Sequence, residues 1–325
     1  MIWQRAGWIQ RLTADAMLAA MQIGFAPPVS GSWATAPNLA RIARRADELG
    51  YHSLWTIQRL LYPADDSGRW VTAYRTVLDP LVSLGHIAAL TRQIRLGIAV
   101  LNMPFFSPAL LGKQLTTVDI VSDGRLDVGL GLGWAPGEFT ASGVPYERRG
   151  RRGEDFLRAL HALWTQDPAE YHGEFYEIPP SYQDPKPVQR PHPPVLLGGA
   201  APAALRRAGR MTDGWVSASR HDLTTIEDSI ELVREGAREA GRDPSTLRFV
   251  SRGVVRVRPG GDPDRRPLTG SLDEIRADLG QLAAKGISEV FVDLNFDPEI
   301  ANLEADTAES MRRAEAVLEA LAPGS

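Results

Sequence analysis

Short apolar runs of β-strand type alternate with longer helical runs, and the alternation repeats eight times. The predicted strands cover residues 22–26, 53–56, 94–101, 126–131, 195–198, 214–218, 247–257 and 289–294. Most are rich in Val, Ile and Leu without clean polar alternation, as expected for parallel strands buried on both faces. Eight βα units predict an α/β fold of the (β/α)8 TIM-barrel type. The alternative that the pattern leaves open is a doubly wound open sheet.

Helix signals follow each predicted strand. Ser107-Pro108 is typical of an N-cap with proline at the first helical position, and Ser271-Leu-Asp-Glu274 predicts a capping box. Extended loops follow strands two and four, the first of them over residues 58–76, and a Pro-rich segment over 167–194 precedes strand five. No linker divides residues 21–325, which we expect to form one domain, with a small hairpin near 171–178.

The first 20 residues do not resemble a signal peptide, because Asp15 and other polar residues interrupt any apolar core. They are either a short extra helix or an over-extended start, and we expect them to lie outside the barrel. No run of 18 apolar residues predicts a membrane span. A cytoplasmic protein without membrane partners is therefore the expectation.

Composition disfavours several chemistries. The formal charge of −4 gives no global reason to expect a nucleic-acid partner, and the absence of cysteine excludes thiol nucleophiles, disulfides and Cys-ligated metals. The three lysines, Lys113, Lys186 and Lys285, fall in a helix, a loop and a helix end, which argues against a Schiff-base aldolase. Of the histidines only His221 follows a predicted strand closely, so no metal site is predicted.

Two glycine-rich segments follow predicted strands. Gly131 and Gly133 after strand four do not complete a dinucleotide fingerprint, because the next glycine, Gly137, comes one position late and Pro136 interrupts the segment. These three glycines are instead expected to leave room for a flat ligand. Gly198-Gly199-Ala200 leads into a helix N-terminus, which suits either a phosphate or a tight βα turn.

Four arginines, Arg148, Arg149, Arg151 and Arg152, crowd the start of a predicted helix, where the macrodipole disfavours cations. An anionic ligand would offset this repulsion. The alternative is a solvated face paired with Glu147, Glu154 and Asp155.

Taken together, the chain resembles the bacterial luciferase-like flavin and deazaflavin oxidoreductases, and most of all their coenzyme F420-dependent branch. The resemblance covers roughly residues 21–295. It rests on the order and spacing of Ile23-Gly-Phe25, Gly50-Tyr-His-Ser-Leu-Trp55, Ile94-Arg-Leu-Gly97, Ser107-Pro-Ala-Leu-Leu111, Asp123-Gly-Arg-Leu-Asp-Val-Gly129, Gly131-Leu-Gly133-Trp134, Val195-Leu-Leu-Gly-Gly199 and Asp213-Gly-Trp215.

The resemblance implies hydride transfer at the C5 atom of a deazaflavin, with FMN as the alternative cofactor, and a homodimer. The ring would lie over the ends of strands three and four, and the phosphate at the glycine turn after strand five. The implied cofactor-binding residues are Gln58, Val100, Leu101, Asn102, Gly131, Gly133, Gly198, Gly199, Ala200, Ala218 and Ser219. It also implies a cis peptide bond at Ala99–Val100 or a neighbouring bond.

One departure from the family pattern concerns catalysis. Many relatives have an acidic residue followed by His after strand two, whereas this chain has Gln58-Arg59. Arg59 stays charged and cannot act as a base, so we expect it to stabilise a substrate oxygen or the reduced ring. Because Arg59 is expected to be accessible, its replacement should affect turnover more than stability. A salt bridge at the rim of the barrel is the alternative role for Arg59. Glu138 and Tyr146 are the candidate proton donors.

Several functions remain open at this level. The first is an F420-dependent oxidoreductase acting on a small-molecule substrate. Alternatives are an FMN-dependent monooxygenase supplied by a separate reductase, a non-catalytic flavin-binding protein, and an isomerase that binds a sugar phosphate at Gly198-Gly199. An apolar substrate pocket is expected to draw on Trp33, Trp55, Trp70, Trp134, Phe105 and Phe106.

Overall fold

A closed barrel of eight parallel strands is the centre of the computed structural model, which describes residues 21–65 and 70–324. The strands are β1 (Gln22–Phe25), β2 (Ser53–Thr56), β3 (Arg95–Ile98), β4 (Leu126–Gly131), β5 (Val195–Gly198), β6 (Gly214–Val216), β7 (Arg248–Val254) and β8 (Glu289–Asp293). Strand β1 pairs with β8, and β3 with β4, so the sheet closes on itself. The TIM-barrel prediction is confirmed, and the open-sheet alternative is wrong.

Eight helices alternate with these strands. They are α1 (Ala36–Glu48), α2 (Pro80–Leu90), α3 (Pro108–Val121), α4 (Arg149–Thr165), α5 (Pro202–Met211), α6 (Ile226–Glu239), α7 (Leu272–Ala284) and α8 (Thr307–Ala320). The capping box predicted for α7 is present, because the Ser271 hydroxyl accepts from Glu274 N at 3.3 Å and the Glu274 carboxylate accepts from Ser271 N at 2.8 Å. Helix α8 begins at Thr307, where Asp306 caps it by accepting from Glu309 N at 2.8 Å.

Irregular segments cluster at the carboxyl ends of the strands. The peptide bond Ala99–Val100 is cis, as predicted, and it divides the expected third strand into β3 and the two-residue strand Leu101–Asn102. A short helix, Pro136–Ala141, follows β4. The Pro-rich segment contains the predicted hairpin, whose strands are Ala169–His172 and Glu177–Ser181.

Large aromatic side chains fill the inside of the barrel. Trp55 and Phe291 are fully buried and stack with ring centroids 5.3 Å apart. Gly97 faces them from β3, where an added Cβ would lie 2.3 Å from the Trp55 ring. The barrel is therefore a packed core, and a ligand has access only at its ends.

A buried charge network closes the amino end of the barrel. Arg95 Nη2 and Arg248 Nη1 lie 2.7 and 2.8 Å from Asp127 Oδ1, and Arg248 Nη2 lies 2.9 Å from Glu289 Oε2. Burial alone would raise the pKa of Asp127, but the two arginines hold it below its usual value. Charges at this end of a TIM barrel act on stability, while chemistry takes place at the opposite end.

The expected extension over residues 1–20 lies outside the described residues. Across 21–65 and 70–324, no helix combines the length and the apolar character that a membrane span requires.

Candidate active site

Val100 lies at the carboxyl end of the barrel, where Gly131 and Gly198 approach it from β4 and β5. A Cβ added to Gly131 would lie 2.5 Å from Val100 Cγ2, and one added to Gly198 would lie 3.0 Å from Val100 Cγ1. Val100 is half-buried and packs on the inner core below it, which includes Trp55. Its side chain therefore forms an apolar platform at the floor of the mouth.

Two of the three glycines at and after the end of β4 do not leave the space that the sequence suggested. Val100 fills the place beside Gly131, and the Phe139 ring fills the place beside Gly133, where an added Cβ would lie 2.9 Å away. At Gly137 an added Cβ would meet nothing within 4 Å. The expectation of open room is thus wrong for Gly131 and Gly133, because neighbouring side chains use the gap.

Gln58 and Asn102, two of the residues implied to bind the cofactor, meet beside this platform. Gln58 Oε1 accepts a hydrogen bond from Asn102 N at 2.8 Å, and both residues are buried. Leu101 is 0% exposed and belongs to the core outside the barrel. Its side chain therefore packs in this core, and a contact between Leu101 and a bound ring stays a prediction.

The turn after β5 presents backbone donors. Gly199 has φ +141°, a conformation that favours glycine, and Trp215 Nε1 fixes the turn by donating to the Gly199 carbonyl at 2.8 Å. Ala201, the N-cap of α5, makes no side-chain capping bond, and Ala200 is exposed. The first turn of α5 is consequently available to an anion.

Ala218 and Ser219 follow β6 at the same end of the barrel. Ala218 is exposed, and the Ser219 hydroxyl lies 3.5 Å from the Tyr74 hydroxyl. Tyr74 comes from the long loop after β2, so Ser219 marks the place where that loop meets the β6 side of the mouth.

Arg59 and Glu138 form a buried ion pair, with Arg59 Nη2 2.8 Å from Glu138 Oε2 and side chains only 4% and 1% exposed. Glu138 Oε1 also accepts from Leu60 N at 2.7 Å and Leu61 N at 3.2 Å. The expectation of an accessible Arg59 is wrong, because the helix Pro136–Ala141 brings Glu138 over it. Both oxygens of Glu138 act as acceptors, which argues against this carboxylate as the proton donor.

Aromatic rings enclose the Arg59 guanidinium. Its Cζ atom lies 5.5 Å from the Trp70 ring, 5.1 Å from Tyr74 and 4.9 Å from Trp134. Burial lowers the pKa of Arg59, while Glu138 opposes that shift. Arg59 Nε and Nη1 are buried without a hydrogen-bond partner among the described residues. The site therefore holds a cation with donors left for a ligand or a water.

The aromatic residues expected to line a pocket separate into two groups. Trp33 and Trp55 are fully buried in the core, so that expectation is wrong for them. Trp70 and Trp134 pack with centroids 4.6 Å apart at the mouth, where Trp134 is 51% exposed.

Tyr146 and the arginine cluster lie at the start of α4. Tyr146 packs on Phe139 at 4.9 Å, and the Arg149 guanidinium lies 4.0 Å from its ring. Glu174 pairs with Arg148 and Arg151. The partners expected for a solvated face were Glu147, Glu154 and Asp155, and the hairpin supplies Glu174 instead.

Sequence reasoning missed Arg252. This β7 residue has a side chain only 5% exposed, lies 2.9 Å from Asp293 Oδ2 through Nη1, and donates through Nη2 to the Ala99 carbonyl. The signal available in the sequence was a charged residue inside an apolar strand run. Its guanidinium places a fixed positive charge next to the Val100 platform.

His221 packs against neighbouring side chains after β6. Its Nε2 lies 3.1 Å from the Ser229 hydroxyl, its ring packs on Trp215, and burial lowers its pKa. In the part of the chain that the structure describes, no three His, Cys, Asp or Glu side chains are grouped to hold a metal ion.

Comparison with known proteins gives consistent matches. Residues 13–268 match the family model described as luciferase-like monooxygenase. The uncharacterized protein Rv0953c of Mycobacterium tuberculosis is 35% identical over 270 residues, which are 76% of this chain and 93% of that protein. The FMNH2-dependent dimethylsulfone monooxygenase of Pseudomonas putida is 38% identical over 164 residues, covering 49% of this chain and 45% of that protein. A solved F420-dependent secondary alcohol dehydrogenase, in complex with an F420-acetone adduct, superposes with a TM-score of 0.74 at 17% identity and covers 93% of this chain and 99% of its own.

Proposed function

Because the chain belongs to the luciferase-like monooxygenase family, we propose that it is an F420-dependent oxidoreductase of that family. The F420-dependent alcohol dehydrogenase shares the fold, and the FMNH2-dependent relative shares 38% sequence identity across 49% of the chain. A flavin or deazaflavin cofactor therefore accounts for both likenesses. The finer choice of F420 rests on the charge around the anion site.

Four arginines at the start of α4, Arg148 at the N-cap and three in the first turn, support F420. Glu174 pairs with Arg148 and Arg151, whereas Arg149 and Arg152 form no ion pair with any described residue. A Cβ added to Gly150 would lie 2.9 Å from Arg207 Nη2 of α5, so the cluster adjoins the helix that begins after the glycine turn. A ligand with a phosphate and further anionic groups would offset this excess of positive charge.

The residues at the mouth fit such a cofactor. The Val100 platform offers an apolar surface for a ring, and the uncapped start of α5 offers backbone donors for a phosphate. Gln58 and Asn102 border the platform. When bound, the deazaflavin accepts or donates a hydride at C5, and the protein orients the reactants.

The chain itself supplies fixed positive charge. Arg252 is held by Asp293 and by the Ala99 carbonyl, and Arg59 is held by Glu138, so neither guanidinium must reorganise during the reaction. Preorganised charge of this kind stabilises negative charge that develops on an oxygen. Trp70 and Trp134 shield the Arg59 pair from water. Tyr146 stays the remaining candidate proton donor.

The second candidate is an FMN-dependent monooxygenase that receives reduced flavin from a separate reductase. The 38% identity to the FMNH2-dependent enzyme favours it. A homodimer also stays a prediction, which analytical ultracentrifugation would test.

Equilibrium titration with F420 and with FMN at matched ionic strength distinguishes these candidates. We expect the protein to bind F420 more tightly than FMN. The double variant Arg149→Gln/Arg152→Gln should lower the affinity for F420 by about tenfold and leave the affinity for FMN nearly unchanged. Arg158→Gln is the control, because Arg158 lies further along α4 and its side chain is 57% exposed. Tighter binding of FMN than of F420 would favour the FMN-dependent monooxygenase. If the protein binds neither F420 nor FMN, both candidate functions are wrong.

A further inference from the structure

A cavity of about 740 Å³ opens at the carboxyl ends of β6, β7 and β8. Arg252 and Val254 of β7 form its inner wall, Phe296 follows β8, and Val71 comes from the loop after β2. The volume lies within the range of small-molecule sites. Ser219, one of the residues implied to bind the cofactor, borders this cavity, whereas Gly198, Gly199 and Ala200 of the phosphate turn do not.

The lining of this cavity is strongly basic. Its five arginines are Arg220, Arg252, Arg256, Arg265 and Arg266, and Asp222 is its one acidic residue. Arg252 pairs with Asp293 at 2.9 Å and Arg265 with Asp278 at 2.6 Å, which neutralises those two. Arg220, Arg256 and Arg266 form no ion pair within the described ranges. An excess of positive charge thus faces the cavity and favours an anionic occupant.

Arg256 is incompletely satisfied. Its Nη2 donates to the Phe296 carbonyl at 3.3 Å, and its Nε is buried without a partner in the described part of the chain. A buried donor without an acceptor is costly, and an incoming anion supplies acceptors to the same guanidinium. The unpaired Arg256 Nε therefore supports an anionic occupant independently of the excess of positive charge.

The cavity adjoins the reaction centre. Arg252 lines it and also donates to the carbonyl of Ala99, the neighbour of Val100. A ligand anchored at Arg256 and Arg266 would therefore extend along Arg252 toward the Val100 platform. Val71, Val254 and Phe296 supply apolar wall along that path.

We propose that this cavity binds the carboxylate of an anionic organic substrate, an inference that rests on the oxidoreductase function proposed above. The planar guanidinium fork matches a carboxylate in two parallel hydrogen bonds. The apolar wall holds the organic part of the substrate, and the reacting carbon lies toward Val100.

Calorimetric titration of the full chain without cofactor tests the carboxylate site directly. The probes are 4-phenylbutanoate, its neutral amide and 4-phenylbutylamine. We expect the carboxylate to bind at least about tenfold more tightly than the amide, and the amine not to bind. Arg220→Gln and Arg266→Gln, both at exposed positions, are expected to weaken the carboxylate several-fold without unfolding the chain.

Arg44→Gln is the matched control, because Arg44 is exposed and lines a different surface cavity in which Glu48, Glu315 and Glu319 balance the arginines. Equal affinity for carboxylate and amide, or an equal effect of Arg44→Gln, would overturn the proposal. Displacement of the probe by inorganic phosphate at similar affinity would make the cavity a phosphate site and overturn it too.

A second titration distinguishes a substrate carboxylate from the cofactor tail, because the tail of F420 also carries carboxylates. The titration is repeated with saturating F420, and we expect the probe to bind as before. Loss of binding would assign the cavity to the cofactor and overturn the substrate proposal. F420 could also fail to bind while the cavity still prefers the carboxylate over the amide. That result would support the carboxylate site and overturn only the proposed F420-dependent function.

Discussion

Arg59 Nη2 and Glu138 Oε2 lie 2.8 Å apart, and this ion pair joins the loop after β2 to the short helix after β4. The two residues are 79 positions apart in the sequence, and each was a separate candidate for catalysis. Together with the bonds from Glu138 to the Leu60 and Leu61 amides, the pair fixes one wall of the mouth.

Removing Arg59 should therefore cost stability. Arg59→Ala leaves the buried Glu138 carboxylate without its cation, and we expect the free energy of unfolding to fall by about 3–5 kcal/mol. Urea denaturation measures the change. The double variant Arg59→Met/Glu138→Gln should recover at least half of the loss, because it removes both charges and keeps an acceptor for the two amides. A loss below about 1 kcal/mol in the single variant would contradict the buried pair.

Gly131→Ala tests the Val100 platform. The new Cβ would lie 2.5 Å from Val100 Cγ2, and we expect a loss of about 1–3 kcal/mol from overpacking. Adding Val100→Ala should relieve most of it, as measured by thermal unfolding. Gly137→Ala is the control, since its Cβ meets nothing within 4 Å and stability should hardly change. Equal stability of Gly131→Ala and Gly137→Ala would show that Val100 does not occupy this space.

Asp127→Asn tests the charge network at the amino end of the barrel. Asp127 is fully buried and accepts from Arg95 and Arg248, so its neutralisation should destabilise the protein by about 3–5 kcal/mol. Because the pKa of Asp127 is lowered on folding, the stability it provides is present above about pH 3.8 and is lost as the pH falls through its folded pKa. Unfolding curves from pH 7 to pH 3 should show a smaller acid dependence in the variant.

His221 should make stability fall below neutral pH. Burial lowers its pKa, with Asp222 opposing, so the unfolded chain binds a proton at a higher pH than the folded chain. The free energy of unfolding should then decrease as the pH falls below about 6.5, by at most about 1.4 kcal/mol per pH unit for this group. His221→Gln should flatten the profile between pH 7 and pH 5. An unchanged slope would show that His221 titrates alike in both states.

The strand count and the helix ends were readable from sequence because they depend on local patterns. Apolar runs predicted all eight strands of the barrel, and Ser271 and Glu274 predicted a capping box only three residues apart. The order of the short motifs also predicted the family, and the match of residues 13–268 to the family model confirms that prediction. Each of these signals lies within a few neighbouring residues.

What the tertiary structure alone decided is which of the predicted residues share a space. Leu101 and Val100 are adjacent, yet one is buried outside the barrel and the other faces its mouth, because successive side chains of an extended segment point in opposite directions. Arg59 became a buried ion pair through Glu138, and Arg252 reached Ala99 from 153 positions away. Burial and charge pairing at the mouth are set by closure of the barrel, which brings distant strand ends together, and no local pattern encodes those distances.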